Sequence, residues 1–173
     1  MLEPVFAVRP YLLGDHPCEA DFGLFGPFFR HFSHDPTPAG IMRETAPNTF
    51  LWTARLWAAR PEDFSSVSRI SEVPEDLAPL IDMAAADYLP YLVANSATYE
   101  AQEGDFSYQE VGVNWTGPVS PDRVQCLNQL KSQFMGLDEQ GQSDATCRLG
   151  ETATTNLRQS VVELRKNSKR TRP

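Results

Sequence analysis

The chain has 173 residues, of which 41% are hydrophobic and 22% are charged, and its formal net charge is −8. This is the composition of an ordinary globular protein of about one domain. No apolar run reaches the ~18–20 residues that a membrane-spanning helix needs, and residues 1–15 lack the basic-then-apolar layout of a signal peptide. Three cysteines, Cys18, Cys126 and Cys147, are widely spaced without a metal-binding pattern. These features predict a cytoplasmic protein with reduced thiols and no membrane contact.

The charge is distributed unevenly along the chain. Residues 148–173 carry seven basic and two acidic side chains, a net charge of +5, so the remainder carries −13. An acidic body repels phosphates, which argues against a nucleic-acid partner. The basic segment could contact something anionic, but a solvated tail is the simpler interpretation.

The first half of the chain shows helical patterns separated by breakers. A pattern from about Glu19 to Phe32 is apolar around much of its circumference, which predicts a helix buried inside a bundle. Prolines and a glycine then interrupt it, and a short helix is expected at residues 38–45. Another helix is expected from Pro47, in its first turn, to about residue 59. Residues 60–74 are polar and serine-rich, as in a loop.

The next pattern is a long one, from about Leu77 to Gln102. Pro90 lies inside it and predicts a kink or break near Tyr88–Leu89. Residues 106–117 alternate and contain β-branched and aromatic side chains, which predicts either a short extended segment or an irregular stretch packed on the helices.

The last clear helical pattern spans about residues 121–137. Ser120 is placed to cap it, and Pro121 suits its first turn. Beyond Gly141 the sequence is polar, with one weak helix expected near residues 154–166. Helices dominate and strand signals are few, so the predicted fold class is an all-α helical bundle.

Short motifs follow one another in a fixed order. YLLGD is followed by CEAD, then by DPTP, then by a helix that begins at AP and contains W…RL. In this order they resemble the C-terminal helical domain of glutathione S-transferases, and the segments VPEDLAPLIDMAAADYLPYL and GPVSPDRVQCLNQLKSQF look like later helices of one bacterial-type branch. The resemblance covers about residues 9–137. It implies a helical domain over residues 1–141, followed by a polar, basic tail over residues 142–173.

The first motif describes the start of a helix. In a capping box the N-cap side chain accepts a hydrogen bond from the N3 backbone, and the N3 acid accepts one from the N-cap backbone. Cys18 stands at the N-cap and Asp21 at N3, with Gly14 in the turn before them. The resemblance implies a folding role for Gly14 and Asp21 rather than a catalytic one. Cysteine caps poorly, so Cys18 predicts a weakened cap.

Glutathione transferases also have an N-terminal thioredoxin-like domain, which binds glutathione and activates its thiol. Only seventeen residues precede the capping position, and no alternation of strands and helices is visible. We therefore expect that domain to be missing from this chain. The chain is then expected to hold no catalytic, cofactor-binding or metal-binding residue, and glutathione would be involved only if a thioredoxin-like domain is supplied.

Two functions fit these expectations. In the first, the chain is the helical, electrophile-side half of a glutathione-conjugating transferase, inactive alone, with a thioredoxin-like domain or a second subunit as its partner. In the second, it is a non-catalytic helical module for protein–protein contacts, including a homodimer. In both, a missing partner should leave an apolar patch that self-associates or binds a hydrophobic dye.

Several side chains could have a chemical role, as a nucleophile or as metal ligands. A thiol at a helix start can be nucleophilic, but the nearby Asp21 opposes a Cys18 thiolate and favours an inert thiol. His31, His34 and Asp35 could ligate a metal, although a histidine that caps the helix end is the simpler alternative.

Aromatic and acidic side chains have similar alternatives. Five aromatic residues could line an apolar pocket, but their helical spacing favours the core: Phe50, Trp52, Trp57, Tyr88 and Trp115. Two pairs of acids are expected to be capping or solvated charges rather than an acid–base pair: Glu62 with Asp63, and Glu75 with Asp76.

Overall fold

The computed structural model describes residues 1–64, 72–110 and 112–158. This part of the chain is mostly helical and contains a two-stranded antiparallel sheet, which confirms the all-α class at that coarse level. The chain divides into two compact units, Met1–Pro79 and Leu80–Pro173. The expected boundary at residue 141 lies inside the second unit.

The described residues of the first unit form four α-helices with short turns between and after them. The prediction is confirmed for the helices near residues 38–45 and 47–59, whereas the first helix was not expected. The elements are α1 (Leu2–Val8), α2 (Glu19–Pro27) with a π-helical turn (Phe28–Phe32), α3 (Pro36–Thr45), α4 (Pro47–Ala58) and two 3₁₀ turns (Pro61–Phe64 and Glu75–Leu77).

The core of the first unit is centred on Trp52 of α4. Its indole stacks on the ring of Phe6 from α1, with ring centroids 4.7 Å apart, and meets the ring of Phe28 edge-on at 5.9 Å. Helical spacing brings Thr49, Trp52 and Leu56 to the same side of α4, and all three are buried. Trp52 is therefore a core residue, as the sequence predicted.

α2 is less buried than expected. Asp21 is its only buried residue, and the side chain of Phe22 is 59% exposed. The prediction of a helix buried inside a bundle is therefore wrong. An all-round apolar helix is buried only if neighbours cover every side, and α2 packs on α4 along one side.

The remaining elements of the described chain are five α-helices and one β-hairpin, which lies between the second and third of these helices. Ala84–Tyr88 forms a π-helical turn and the next α-helix begins at Leu89, with Pro90 in its first turn. The helix thus changes type where a kink or break was predicted, but Tyr88 and Leu89 keep helical dihedral angles and the chain stays helical. The elements are α5 (Ala78–Met83), α6 (Leu89–Glu100), β1 (Asp105–Glu110), β2 (Val113–Pro118), α7 (Pro121–Met135), α8 (Glu139–Leu149) and α9 (Glu151–Arg158).

The extended alternative for residues 106–117 is confirmed. β1 and β2 form an antiparallel hairpin whose pairs run from Glu110↔Val113 to Asp105↔Pro118. Phe106 of β1 is buried, and its ring lies edge-on to Tyr91 of α6 at 5.3 Å. This contact fixes the hairpin against the helices of the second unit.

The predicted cap of α7 is partly wrong. Pro121 lies in the first turn as expected, but the Ser120 hydroxyl makes no capping hydrogen bond. Instead the buried Asn95 amide pairs with the Ser120 backbone: Oδ1 accepts from the Ser120 N–H at 2.8 Å, and Nδ2 donates to its carbonyl at 2.9 Å. A long-range contact from α6 therefore fixes the start of α7.

The expected tail is helical over its first part. Asp138 caps α8 by accepting from the Gly141 N–H at 2.8 Å, and Gly150, with φ of 84°, separates α8 from α9. Ala153 and Leu157 of α9 pack with residues of α6 and α7 in one core: Leu89, Leu92, Leu127 and Phe134. The expectation of a tail from residue 142 is thus wrong as far as residue 158. The rest of the basic segment lies outside the described residues, as does the end of the weak helix.

Candidate functional site

Asp21 is the polar centre of the first unit. Its side chain is completely buried and accepts four hydrogen bonds. Oδ1 accepts from the Leu12 backbone N–H at 3.1 Å and from the indole N–H of Trp52 at 2.9 Å. Oδ2 accepts from the Cys18 backbone N–H at 3.0 Å and from the Cys18 thiol at 3.1 Å. One carboxylate therefore joins the segment after α1, the start of α2 and the middle of α4.

The turn before α2 requires its glycine. Tyr11 and Gly14 pair as an isolated antiparallel bridge, with backbone N···O distances of 3.1 and 3.3 Å. Gly14 has φ of 119°, in the region that glycine tolerates and other residues avoid. The tight turn leads the chain back so that the neighbouring Leu12 N–H reaches Asp21. Gly14 and Asp21 thus serve one local structure.

Cys18 takes part in the capping box at the start of α2. Both halves of the box are present, since the Cys18 side chain faces the Asp21 backbone N–H and the Asp21 carboxylate accepts from the Cys18 backbone N–H. The Cys18 thiol also donates to this carboxylate. Burial raises the pKa of the Cys18 thiol, and the hydrogen bond to Asp21 raises it further. The thiol is therefore held in its neutral form, the opposite of an activated nucleophile.

Two polar contacts of the first unit have no signal in the sequence. The Glu3 carboxylate accepts from the backbone N–H groups of Asn48 and Thr49, at 3.1 and 3.0 Å, and so caps α4 from α1. Partial burial raises the pKa of Glu3, but these donors and the side chains of Asn48 and Thr49 outweigh it and the net shift is downward.

Arg9 binds Asp76 with both guanidinium nitrogens, each 2.7 Å from a carboxylate oxygen. These hydrogen bonds lower the pKa of Asp76. Asp76 was expected to be a capping or solvated charge, and the bidentate pair corrects that expectation. In the other predicted acid pair, Asp63 accepts from the Arg60 backbone N–H at 3.0 Å, which is a capping contact as expected.

The first unit presents a group of aromatic side chains, here called the aromatic surface: the exposed Phe22 and the stacked rings of Phe25, Phe29 and Trp57. The ring centroid of Trp57 lies 4.7 Å from that of Phe29 and 6.4 Å from that of Phe25, and in both pairs the rings are nearly parallel. Phe25 and Phe29 stack at 4.9 Å. Trp57 is nonetheless 68% exposed, so its assignment to the core is wrong. It lies beside the buried stripe of α4, where rings of α2 and of the π-helical turn stack on it.

Of the two histidines near this surface, His34 caps the helix end. Nδ1 of His34 donates to the carbonyl of Phe29, and its ring lies edge-on to the Phe29 ring at 4.7 Å. Nδ1 of His31 lies 3.8 Å from Oδ2 of Asp35. Within the described ranges, the structure contains no group of three or more side chains able to hold a metal ion.

The other predicted aromatic positions are dispersed. Phe50 is half-buried under the guanidinium of Arg43, 4.8 Å from the ring centroid. In the second unit Tyr88 and Trp115 are exposed, and Arg123 donates to the Tyr88 hydroxyl at 3.3 Å. The core assignment is wrong for Tyr88 and Trp115, and the five predicted aromatics do not line one pocket.

A separate cleft in the first unit is almost wholly apolar. It has a volume of about 260 Å³ and opens between the π-helical turn, α3 and the start of α4. Phe28, Phe32, Ile41 and Met42 supply most of its apolar lining. Its size suits one apolar side chain or a very small molecule.

Among the described residues, Glu75–Glu100 is the one helical stretch long and apolar enough to cross a membrane. Core helices of soluble proteins meet the same criterion, and Leu89 and Leu92 of this stretch are buried in the core of the second unit. Asp82 and Asp87 interrupt its apolar run, which is why it does not stand out in the sequence. The expected lack of membrane contact stays a prediction.

Comparison with known proteins found no matching family model, no matching curated protein and no matching solved structure.

Proposed function

We propose that this chain is a helical binding and assembly domain, similar to the C-terminal domain of glutathione transferases, and that its aromatic surface docks a partner protein. The observation that carries the proposal is the exposure of Trp57 and Phe22 at the edge of the stacked rings of Phe25 and Phe29. Exposed aromatic clusters are costly in water and are typical of interface centres. The candidate partners are a thioredoxin-like domain and a second subunit.

The Asp21 network supports the resemblance on which this domain type rests. The resembled family places an acid at this helix start as a folding element, and here Asp21 is buried with all of its partners inside the first unit. A buried carboxylate with four donors organises the fold and is inaccessible to a substrate. The one thiol beside it, Cys18, is kept neutral. These features support a role in binding rather than in covalent chemistry.

Sedimentation velocity with matched variants tests the proposal. The chain is run alone up to about 100 µM, and again mixed with the thioredoxin-like domain of a glutathione transferase. We expect association in at least one series, and we expect Trp57→Ser to weaken it by at least about tenfold, as for an interface anchor. Val8→Ser is the control, because Val8 is equally exposed in the same unit but lies outside the aromatic surface. A monomer in both series would overturn the proposal.

A second candidate function is the electrophile-side half of a conjugating transferase. The apolar cleft beside Phe28 and Ile41 favours it, because a small apolar group could lodge there. Glutathione conjugation is measured for the thioredoxin-like domain with and without this chain. This candidate predicts that the chain raises the rate and that Ile41→Asp abolishes the gain. An unchanged rate would reject it, and conjugation by the chain alone would contradict both candidates.

A further inference from the structure

One side of α2 forms a line of small and charged residues that points away from the core. Glu19, Gly23 and Gly26 follow one another at i, i+4 and i+7, which places them on one face of α2. The exposed Arg30 follows in the π-helical turn that continues α2. Asp21, the buried residue of α2, lies on the opposite face. The line carries an acid at its first residue, a base at its last residue and no side chain between them.

The aromatic surface borders this line on one side. Phe22 precedes Gly23 in sequence and is 59% exposed, and the stacked rings of Phe29 and Trp57 continue the same border toward Arg30. A partner that covered the line would therefore also cover the aromatic surface. The two features form one continuous face of the first unit.

The charges on the line are complementary under two-fold symmetry. Neither Glu19 nor Arg30 makes an ion pair within residues 1–64, 72–110 and 112–158. If a second copy of α2 lies antiparallel on the first, the symmetry axis passes between Gly23 and Gly26. Glu19 of each copy then faces Arg30 of the other, so both charges are paired twice.

The glycines allow such a helix to approach closely. A Cβ at Gly23 or at Gly26 would meet no atom within 4 Å, so nothing inside the chain requires glycine there. Both residues lie inside a helix, where glycine is less favourable than alanine. In the antiparallel arrangement Gly23 of each copy faces Gly26 of the other, where a side chain would hold the two helices apart.

We propose that the partner of the aromatic surface is a second copy of this chain, packed through an antiparallel α2–α2 contact. This inference rests on the proposed function and names the partner at the same surface. The resulting interface is isologous, so one patch is used twice and assembly stops at a dimer. The paired Glu19 and Arg30 fix its direction, and the rings of Phe22 and Trp57 supply its apolar area.

Charge reversal and charge exchange test the arrangement. Sedimentation velocity over a concentration series gives the dimer dissociation constant of wild type, Glu19→Arg, Arg30→Glu and the double variant. Each single reversal places two like-charge contacts in the interface and should raise the constant by about tenfold or more. The double variant restores opposite charges and should return within about threefold of wild type. Glu44→Arg, an exposed reversal on α3, should leave the constant unchanged.

A second pair of variants tests the glycines. Gly26→Ala should keep the helix content of wild type and weaken the dimer, because the added methyl group meets the backbone at Gly23 of the second copy. Gly40→Ala, at an equally open glycine of α3, should leave the dimer unchanged.

The inference is overturned if the wild-type chain is monomeric, or if it dimerises with a constant that neither reversal changes. It is also overturned if the folded double variant stays as weak as the single reversals. A monomer that binds the thioredoxin-like domain through Trp57 would reject the second copy while leaving the proposed function standing. A chain that binds neither would reject both.

Discussion

Replacing Asp21 with asparagine tests whether one buried carboxylate holds the first unit together. The substitution keeps the size of the side chain but exchanges one acceptor oxygen for a donating NH₂ group. Four hydrogen bonds converge on Asp21, two on each oxygen, from Leu12, from Trp52 and twice from Cys18. Whichever way the amide turns, it keeps one oxygen and faces two donors with its own N–H groups.

The expected loss follows from these contacts. Hydrogen bonds to a charged group contribute about 1.5–3 kcal/mol each, so losing two of them should cost about 3–6 kcal/mol. A unit of this size has a total stability of about 4–12 kcal/mol, so Asp21→Asn should fold but unfold at clearly lower urea. Asp21→Ala would leave every donor unpaired and is expected to lose the fold of the unit.

The assay is urea unfolding followed by far-UV circular dichroism and by tryptophan fluorescence, since Trp52 reports from the core of the unit. Asp15→Asn, in the exposed part of the same loop, is the matched control and should change the free energy of unfolding by less than about 0.5 kcal/mol. A value equally small for Asp21→Asn would refute the assignment of Asp21 as the organising contact.

Three further predictions concern the contacts around this network. Cys18→Ser should raise the free energy of unfolding by about 0.5–1 kcal/mol in urea titrations, because serine caps better and its hydroxyl is a stronger donor to Asp21; a loss of stability would contradict this. Because the pKa of Glu3 is lowered in the fold, its contribution is present above the ordinary value of 4.5 and is lost as the pH falls below it. Glu3→Gln should therefore reduce the free energy of unfolding at pH 7 and make it fall less steeply with decreasing pH than in wild type. An equally steep fall in the variant and in wild type would reject the assignment. Arg9→Lys should raise the pKa of Asp76 toward its usual value in a carboxyl NMR titration while changing stability by less than about 1 kcal/mol, and an unmoved pKa would mean that the bidentate pair does not persist in solution.

The features that the sequence predicts well are those with local causes. The long helix changes from a π-helical to an α-helical turn beside Pro90, and Pro121 begins α7, because proline acts on its own turn of the chain. Asp21 was recognised at N3 because its bond to Cys18 spans three residues. Its bond to Trp52 spans 31 residues and depends on how α2 meets α4, which no local pattern encodes.

The features that the sequence predicts poorly depend on neighbours. Trp57 and Phe22 have the spacing of core residues, but an apolar stripe is buried only where a second element covers it. α8 was not predicted because its composition is polar. The local signals for it were Asp138 at its N-cap and Gly150 at its C-cap. Ser120 is a residue type that often caps helices, but the start of α7 is fixed by Asn95, which lies 25 residues earlier and bonds the Ser120 backbone.

Fluorine NMR of the chain labelled with 5-fluorotryptophan tests the central claim most directly. The three tryptophans differ in surroundings: Trp52 is buried, Trp57 lies in the aromatic surface, and Trp115 is exposed in the second unit. Assigned by single Trp→Phe variants, the Trp57 resonance should shift or broaden as protein concentration rises, while those of Trp52 and Trp115 stay in place. If none of the three resonances shifts or broadens with protein concentration or with an added thioredoxin-like domain, the result would contradict docking at the aromatic surface.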